Sequence, residues 1–165
     1  MKDPMIQTQN GNRPCWMVVD DDREILSLIR EIVGCFSNVE VECFHSPQEA
    51  LAAFESRPGA FQLVITDLEM PEMSGIELCH HLRALTPSLK ILLSTGSELL
   101  SDEEAVEVGF CGLLRKPFTL ATLQNVLEAA SLSGLFDIFQ KFHGLNGSLR
   151  CGRIDCATKI HSAKK

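Results

Sequence analysis

The 165-residue chain lacks any apolar run near the ~20 residues that a membrane-spanning helix needs. Its first fourteen residues, MKDPMIQTQNGNRP, also lack the apolar core of a signal peptide. Basic side chains are few, with 15 Lys and Arg against 22 Asp and Glu, which gives a net charge of −7. We therefore expect no membrane insertion and no general affinity for nucleic acid, and the predicted compartment is the cytoplasm.

The cysteines do not follow the pattern of a disulfide-bonded protein. There are seven, an odd number, and five of them lie within apolar segments, where a reduced thiol behaves as a small hydrophobic side chain. Hydrophobic residues make up 45% of the chain, which is enough for one globular core. We expect a single domain without a disulfide framework.

The two ends of the chain differ in composition from its body. Residues 145–165 hold five basic side chains and one acid, so they carry +4 while residues 1–144 carry −11. We predict a disordered N-terminus over residues 1–13 and a basic, disordered tail over residues 145–165.

An additional amphipathic helix is predicted over residues 132–144. Its apolar face consists of Leu135, Ile138, Phe139 and Phe142. A helix this short is marginal in water by itself. The face therefore either packs back on its own domain or contacts a partner, such as the second copy of a homodimer.

Five short apolar runs recur along the body of the chain, and a segment with helical periodicity follows each of them. The runs are CWMVVD (15–20), VEVECF (39–44), FQLVITD (61–67), LKILLST (89–95) and GLLRK (112–116). Three of the helices open with a hydroxyl N-cap and an acid three residues later, at Ser46, Ser74 and Ser101.

This alternation of strands and helices predicts an α/β fold. The spacing between strands is too long for hairpins, so the strands join through βαβ crossovers into a parallel sheet covered on both faces. We predict a doubly wound five-stranded sheet with five flanking helices over residues 14–131, followed by the C-terminal helical extension. The nearly continuous apolar first, third and fourth runs predict central strands, whereas the alternating second run predicts an edge strand.

Polar side chains end four of the five predicted strands. These are Asp20 and Asp21 after the first, Asp67 at the third, Ser94 and Thr95 at the fourth, and Lys116 at the fifth. In open α/β sheets, sites form outside the carboxyl ends of the strands, so we expect these groups to converge. Carboxylates about 4 Å apart repel by about 4 kcal/mol per pair at an effective dielectric constant near 20, and such a cluster needs a cation.

The chemistry of these side chains predicts a Mg²⁺ site and a phosphoryl acceptor. Oxygen ligands favour a hard dication, and Mg²⁺ fits better than zinc. Asp67 is a candidate nucleophile because a carboxylate forms an acyl phosphate when a metal and a cation screen the incoming charge. Lys116 can grip a phosphoryl oxygen, and Thr95 can donate a hydrogen bond to one.

In these motifs the chain resembles the receiver domain of bacterial two-component response regulators, over about residues 14–130. The motifs are VVDDD (18–22), TDLEMP (66–71), Gly75, STG (94–96) and KPF (116–118). Their joint occurrence in this order is highly specific, although any one of them alone would be a weak signal. The resemblance implies a flavodoxin-like sheet with strand order 2-1-3-4-5.

The resemblance also implies roles for the acidic residues. Asp67 would be the phosphoacceptor, and Asp20 and Asp21 would be the acidic pair that holds Mg²⁺, with Asp21 as a direct ligand. Asp67 and the backbone carbonyl of Glu69 would complete the metal ligands. The Glu69 side chain, near the entry path for water, is expected to tune the lifetime of the phosphoryl group.

Further roles fall on the fourth and fifth strands. By the same resemblance, Thr95 would be the switch hydroxyl, Lys116 the phosphoryl clamp, and the Lys116–Pro117 peptide bond would be cis. The family usually has an aromatic residue at the switch position three residues before the lysine, but here that position is Leu113, and the chain has no tyrosine. This departure puts the usual threonine-to-aromatic relay in doubt.

The function implied by the resemblance is that of a phosphorylatable signalling switch. Asp67 would accept a phosphoryl group from a phosphohistidine of a histidine kinase or histidine phosphotransfer protein, and the output would be altered binding to an unknown downstream protein. Self-catalysed phosphotransfer and autodephosphorylation would be its only reactions, so it would not be an enzyme in the usual sense.

Three alternatives stay open. The chain is a phosphate-independent interaction module with a receiver fold, which Leu113 favours, or the detached receiver of a hybrid histidine kinase. An aspartyl-phosphate phosphohydrolase for small molecules fits less well. Those enzymes commonly place a second Asp where this chain has Glu69, and no cap domain is present to enclose a substrate.

Overall fold

The structure, a computed structural model, describes residues 14–36 and 39–129. The predicted N-terminus at 1–13, the helix predicted over 132–144 and the basic tail at 145–165 lie outside the described residues, so these three stay predictions.

Five strands alternate with five helices along the described chain, as the sequence predicts. In chain order they are β1 Cys15–Val19, α1 Arg23–Phe36, β2 Glu40–Phe44, α2 Pro47–Ser56, β3 Phe61–Asp67, α3 Gly75–Leu85, β4 Lys90–Thr95, α4 Asp102–Val108, β5 Gly112–Arg115 and α5 Leu120–Ala129.

The strands form one parallel sheet in the order β2-β1-β3-β4-β5, which confirms the doubly wound α/β prediction. All five residues of β1 are buried, whereas β2 at the sheet edge has one exposed and four half-buried residues. The predicted edge position of β2 is therefore confirmed, and so are the central positions of β1, β3 and β4. All the carboxyl ends point the same way because every pairing is parallel.

Hydrophobic cores lie on both faces of the sheet because successive strand residues point to opposite sides. Met17 packs on one face with α2, α3 and α4, through residues such as Phe54, Leu78 and Ala105. Trp16 packs on the other face. The helices that cover this second face are α1 and α5, which contribute Leu26, Ile29, Val33, Leu123 and Leu127.

The predicted helix starts are present. Ser74 and Ser101 each form a capping box with the glutamate three residues later. Ser46 accepts the Glu49 backbone N–H at 3.4 Å, with Pro47 in the first turn of α2. Local hydrogen bonds thus determine where these three helices begin.

Two features of the part of the chain that the structure describes bear on the expectations from composition. The thiols of Cys15, Cys43, Cys79 and Cys111 are free. None of the helices in residues 14–36 and 39–129 has the length and apolar character needed to span a bilayer.

Candidate functional site

The carboxyl ends of the central strands bring the predicted acidic and basic groups to one place. Asp67 is the last residue of β3, and Asp20 directly follows β1, the neighbour of β3. Thr95 ends β4 on the other side of β3, and Lys116 follows β5. The convergence expected from the strand-end rule is therefore present in the structure.

Lys116 links the two buried carboxylates. Its Nζ donates to Asp20 Oδ2 and to Asp67 Oδ1, both at 2.7 Å. The other two carboxylate oxygens accept backbone N–H groups, Asp20 Oδ1 from Asp22 at 2.9 Å and Asp67 Oδ2 from Glu69 at 3.1 Å. Every oxygen of Asp20 and Asp67 thus has a donor, which holds both carboxylates in a defined orientation.

The surroundings of these groups shift two pKa values. Burial raises the pKa of Asp20, although hydrogen bonds from Lys116 and from the Asp22 backbone act in the opposite direction. Burial alone would lower the pKa of Lys116, but the hydrogen bonds to Asp20 and Asp67 raise it above its usual value. Lys116 therefore stays a cation beside the two acids at neutral pH.

Three carboxylates are placed to hold a metal ion. One oxygen each from Asp20, Asp21 and Asp67 lies within 4.8 Å of the others. Asp20 and Asp67 are buried, whereas Asp21 is exposed, so water can reach the cluster from one side. A donor set made of carboxylate oxygens with an open, hydrated side fits Mg²⁺, which keeps several waters and takes one or two carboxylates.

An open cleft of about 400 Å³ lies beside Asp67. Its lining consists of Asp67, Glu69, Thr95, Gly96, Ser97 and Lys116. Thr95 Oγ1 accepts the Ser97 backbone N–H at 3.0 Å, and the hydroxyl keeps its own proton to donate. The cleft therefore presents a carboxylate, an ammonium group and a hydroxyl to one small volume.

Gly75, at the start of α3, lies directly against the backbone of Asp67. Its N–H donates to the Leu68 carbonyl at 3.0 Å, and a Cβ at this position would lie 2.0 Å from the Asp67 carbonyl oxygen. This close approach requires glycine, because any other side chain would collide with the backbone that carries Asp67.

The remaining predicted residues are placed as follows. The Lys116–Pro117 peptide bond is cis. The Glu69 side chain is exposed at the cleft. Leu113 is buried in the core on the α4 side, in the same cluster as Phe110. The metal-binding role of the Glu69 carbonyl and the switch role of Leu113 stay predictions.

Sequence reasoning missed two residues near the cleft. Ser97 lines the cleft and binds Thr95 through its backbone N–H. Arg115 binds the loop that contains Ser97 through the Ser97 carbonyl. Proximity in sequence would have drawn attention to Ser97, two residues after Thr95, but no motif points to Arg115.

Comparison with known proteins gives one family. The profile of the response regulator receiver domain matches residues 16–128. The chain is 36% identical to the response regulator MprA of Mycobacterium avium over 115 residues, which cover 68% of this chain and 49% of that protein. The match to MprA of Mycobacterium tuberculosis is also 36% identical and covers 48% of that protein. The chain thus spans about half the length of the curated relatives it matches.

Solved receiver domains have the same fold. A response regulator receiver domain protein from Clostridium thermocellum matches with a TM-score of 0.65 and 28% identity, covering 74% of this chain and 98% of that one. The chemotaxis protein CheY4 of Vibrio cholerae matches with a TM-score of 0.60 and 28% identity, covering 77% of this chain and 99% of that one.

Proposed function

Because the chain belongs to the response regulator receiver domain family of two-component systems, we propose that it is a phosphorylatable signalling switch with Asp67 as the phosphoacceptor. The observation that carries this proposal is the contact of Lys116 Nζ with both Asp67 Oδ1 and Asp20 Oδ2 at 2.7 Å, beside the cleft that Thr95 lines.

The proposed reaction transfers a phosphoryl group from a phosphohistidine. A carboxylate oxygen of Asp67 forms a bond to phosphorus while the bond from phosphorus to the donor's imidazole nitrogen breaks, and that nitrogen keeps the electron pair. Lys116 then lies close enough to bind a phosphoryl oxygen, and the Thr95 hydroxyl donates to another. Hydrolysis of the acyl phosphate restores the carboxylate and releases inorganic phosphate.

Asp20, Asp21 and Asp67 would hold Mg²⁺ in this proposal, together with the Glu69 backbone carbonyl. The ion would supply charge that offsets the repulsion between the carboxylates and the incoming phosphoryl group. Lys116 supplies the fixed positive charge of the protein itself, because its pKa is raised by its two carboxylate partners.

The proposed partners follow from this chemistry. The phosphodonor is a histidine kinase or a histidine phosphotransfer protein, and the output is altered binding to a downstream protein. The −11 charge of residues 1–144 favours a protein over nucleic acid as the partner of this domain.

The test is intact-mass spectrometry with a small acyl phosphate or phosphoramidate donor, with and without Mg²⁺. We expect the native chain to gain one phosphoryl group only when Mg²⁺ is present, and Asp67→Asn to gain none. Asp22→Asn is the matched control. Asp22 is an exposed acid that directly follows Asp20 and Asp21, and its carboxylate accepts the Glu24 N–H at the start of α1. This variant should be phosphorylated like the native chain.

Two results would contradict the proposal. A phosphoryl group that persists in Asp67→Asn would place the acceptor elsewhere. No gain in the native chain, when its fold and its Mg²⁺ binding are verified in the same sample, would favour the phosphate-independent interaction module instead.

A further inference from the structure

Arg115, the last residue of β5, joins the fifth strand to the loop at residues 96–101. It pairs with Thr95 in the register of β4 and β5. Its Nη1 donates to the Ser97 carbonyl at 2.9 Å and its Nη2 donates to the Leu100 carbonyl at 2.8 Å. Nη2 also lies 3.6 Å from Asp102 Oδ1, in the first turn of α4.

One guanidinium group therefore holds both halves of this loop. The planar, rigid arrangement of its donors suits two fixed carbonyl oxygens better than a flexible ammonium group does. Inside the loop, the Leu99 N–H donates to Ser97 Oγ at 3.2 Å, while the Leu99 side chain is 86% exposed. The exposed Leu99 contributes little apolar packing, whereas the half-buried Leu100 packs against the core. The two Arg115 hydrogen bonds attach the loop backbone to β5.

The loop is also in direct contact with the cleft. Ser97 lines the cleft, and its N–H donates to Thr95 Oγ1 at 3.0 Å. The Ser97 residue thus binds Thr95 through its N–H and Arg115 through its carbonyl. A movement of the Thr95 hydroxyl toward a group on Asp67 would weaken the first of these bonds and shift the second.

We propose that Arg115 is a positioning residue that holds loop 96–101 against the cleft and transmits a change at Thr95 to the first turn of α4. The proposal rests on the proposed phosphorylation of Asp67. The linkage uses polar contacts along β5 and the loop. It therefore needs no aromatic side chain at the position of Leu113, two residues earlier on the same strand.

The chain provides a matched control at the opposite edge of the sheet. Arg57 is also exposed and also makes two hydrogen bonds, both at 2.7 Å, to the carboxylate of Glu42 on β2. Arg57→Ala removes the same side chain and a comparable pair of contacts far from loop 96–101. Any general effect of losing an exposed arginine appears in both variants.

The experiment is hydrogen–deuterium exchange of the full-length native chain, Arg115→Ala, Arg115→Lys and Arg57→Ala, each with and without phosphodonor and Mg²⁺. In Arg115→Ala without donor, we expect the amides of residues 97–101 to exchange about tenfold faster, a factor that corresponds to about 1.4 kcal/mol. Arg57→Ala should match the native chain over these residues. In the native chain, phosphorylation should change exchange in α4, and this response should be lost in Arg115→Ala.

Two further measurements separate positioning from a purely structural role. The affinity for Mg²⁺ should be unchanged in Arg115→Ala, since Arg115 contacts none of the predicted metal ligands in the described part of the chain. The rate of phosphorylation should fall by about tenfold, the factor expected for one misplaced hydrogen bond. Arg115→Lys should restore only part of the loop protection. Full restoration of the loop protection in Arg115→Lys would mean that a positive charge near the acids of α4 is sufficient. That result would refute the proposed role of the two guanidinium hydrogen bonds.

The outcomes distinguish this proposal from the one on which it rests. If the native chain forms an acyl phosphate and Arg115→Ala equals it in exchange, in α4 response and in rate, the Arg115 proposal is wrong and the proposed function stands. If the native chain forms no acyl phosphate, the proposed function fails. In that case, exchange measured without phosphodonor still decides whether Arg115 holds the loop. Equal exchange of residues 97–101 in the native chain and in Arg115→Ala refutes that role.

Discussion

Replacement of Gly75 by alanine should displace the backbone that carries Asp67. The added Cβ would lie 2.0 Å from the Asp67 carbonyl oxygen, 3.0 Å from the Asp67 carbonyl carbon and 3.3 Å from Leu68 Cα. These are backbone atoms, so no side-chain rotation relieves the collision. The Gly75 N–H also donates to the Leu68 carbonyl at 3.0 Å, so moving the two backbones apart strains or breaks that hydrogen bond.

The expected loss of stability follows from these distances. Ordinary van der Waals contact begins at 3.4 Å, so the Cβ and the oxygen must separate by more than 1 Å. Overpacking costs about 1–3 kcal/mol even where side chains can adjust, and the strained hydrogen bond adds about 1 kcal/mol. We expect Gly75→Ala to lower the free energy of unfolding by about 2–4 kcal/mol, a large part of the ~5–15 kcal/mol typical of a domain.

Urea unfolding followed by the fluorescence of Trp16 measures this loss. Trp16 is the single tryptophan and is fully buried, so its emission reports on the core. Gly34→Ala is the matched control, because Gly34 is an exposed residue of α1 and a Cβ there meets no atom within 4 Å. That variant should gain about 0.5–1 kcal/mol from the helix propensity of alanine.

The same displacement should impair phosphorylation. A shift of Asp67 by about 1 Å relative to Lys116 should slow acyl phosphate formation by about 10²-fold, measured on the folded fraction of the Gly75→Ala variant. The steric reasoning is refuted if Gly75→Ala unfolds within about 0.5 kcal/mol of the native chain, the range of an ordinary surface substitution. It is also refuted if Gly34→Ala loses as much stability as Gly75→Ala.

Two other predictions concern groups with unusual surroundings. In EDTA, Lys116→Met should lower the free energy of unfolding by about 3–5 kcal/mol, because Asp20 and Asp67 lose the cation they share. In Mg²⁺ the loss should be smaller, because the ion can replace that charge. Urea unfolding in the two buffers checks this, and equal losses would contradict it. Burial, with Glu42 nearby, raises the pKa of the Cys15 thiol from 9.0 to about 12, which lowers its thiolate fraction at pH 8 by about 10³-fold. Peptide mapping after iodoacetamide treatment should show that Cys15 is alkylated at least about 10³-fold more slowly in the folded chain than in urea. Similar rates in the two conditions would argue against the burial of Cys15.

The fold was predictable where its causes are local. The capping boxes at Ser74 and Ser101 join residues three positions apart, so the sequence pattern alone locates the starts of α3 and α4. Apolar and charged residues alternate along β2, which predicts an edge strand, whereas β1 is continuously apolar, which predicts a central strand.

The site was predictable in its membership but not in its contacts. The strand-end rule brings Asp20, Asp67 and Lys116 together without any knowledge of distances. It does not indicate that Lys116 bridges the two acids. Lys116 is 96 positions along the chain from Asp20 and 49 positions from Asp67. Arg115 was missed because nothing in an exposed arginine at the end of a strand shows which loop carbonyls it will bind.

The sequence by itself determined the type and order of the helices and strands, the parallel sheet and the convergence of the acidic groups. These depend on periodicity, on hydrogen bonds between residues three or four apart, and on the common direction of parallel strands. Only the tertiary structure decided that Lys116 neutralises two buried carboxylates, that Gly75 lies against the Asp67 carbonyl, and that Arg115 holds the loop beside Thr95. Those contacts join distant parts of the chain, and they exist only after the sheet and its covering helices have packed.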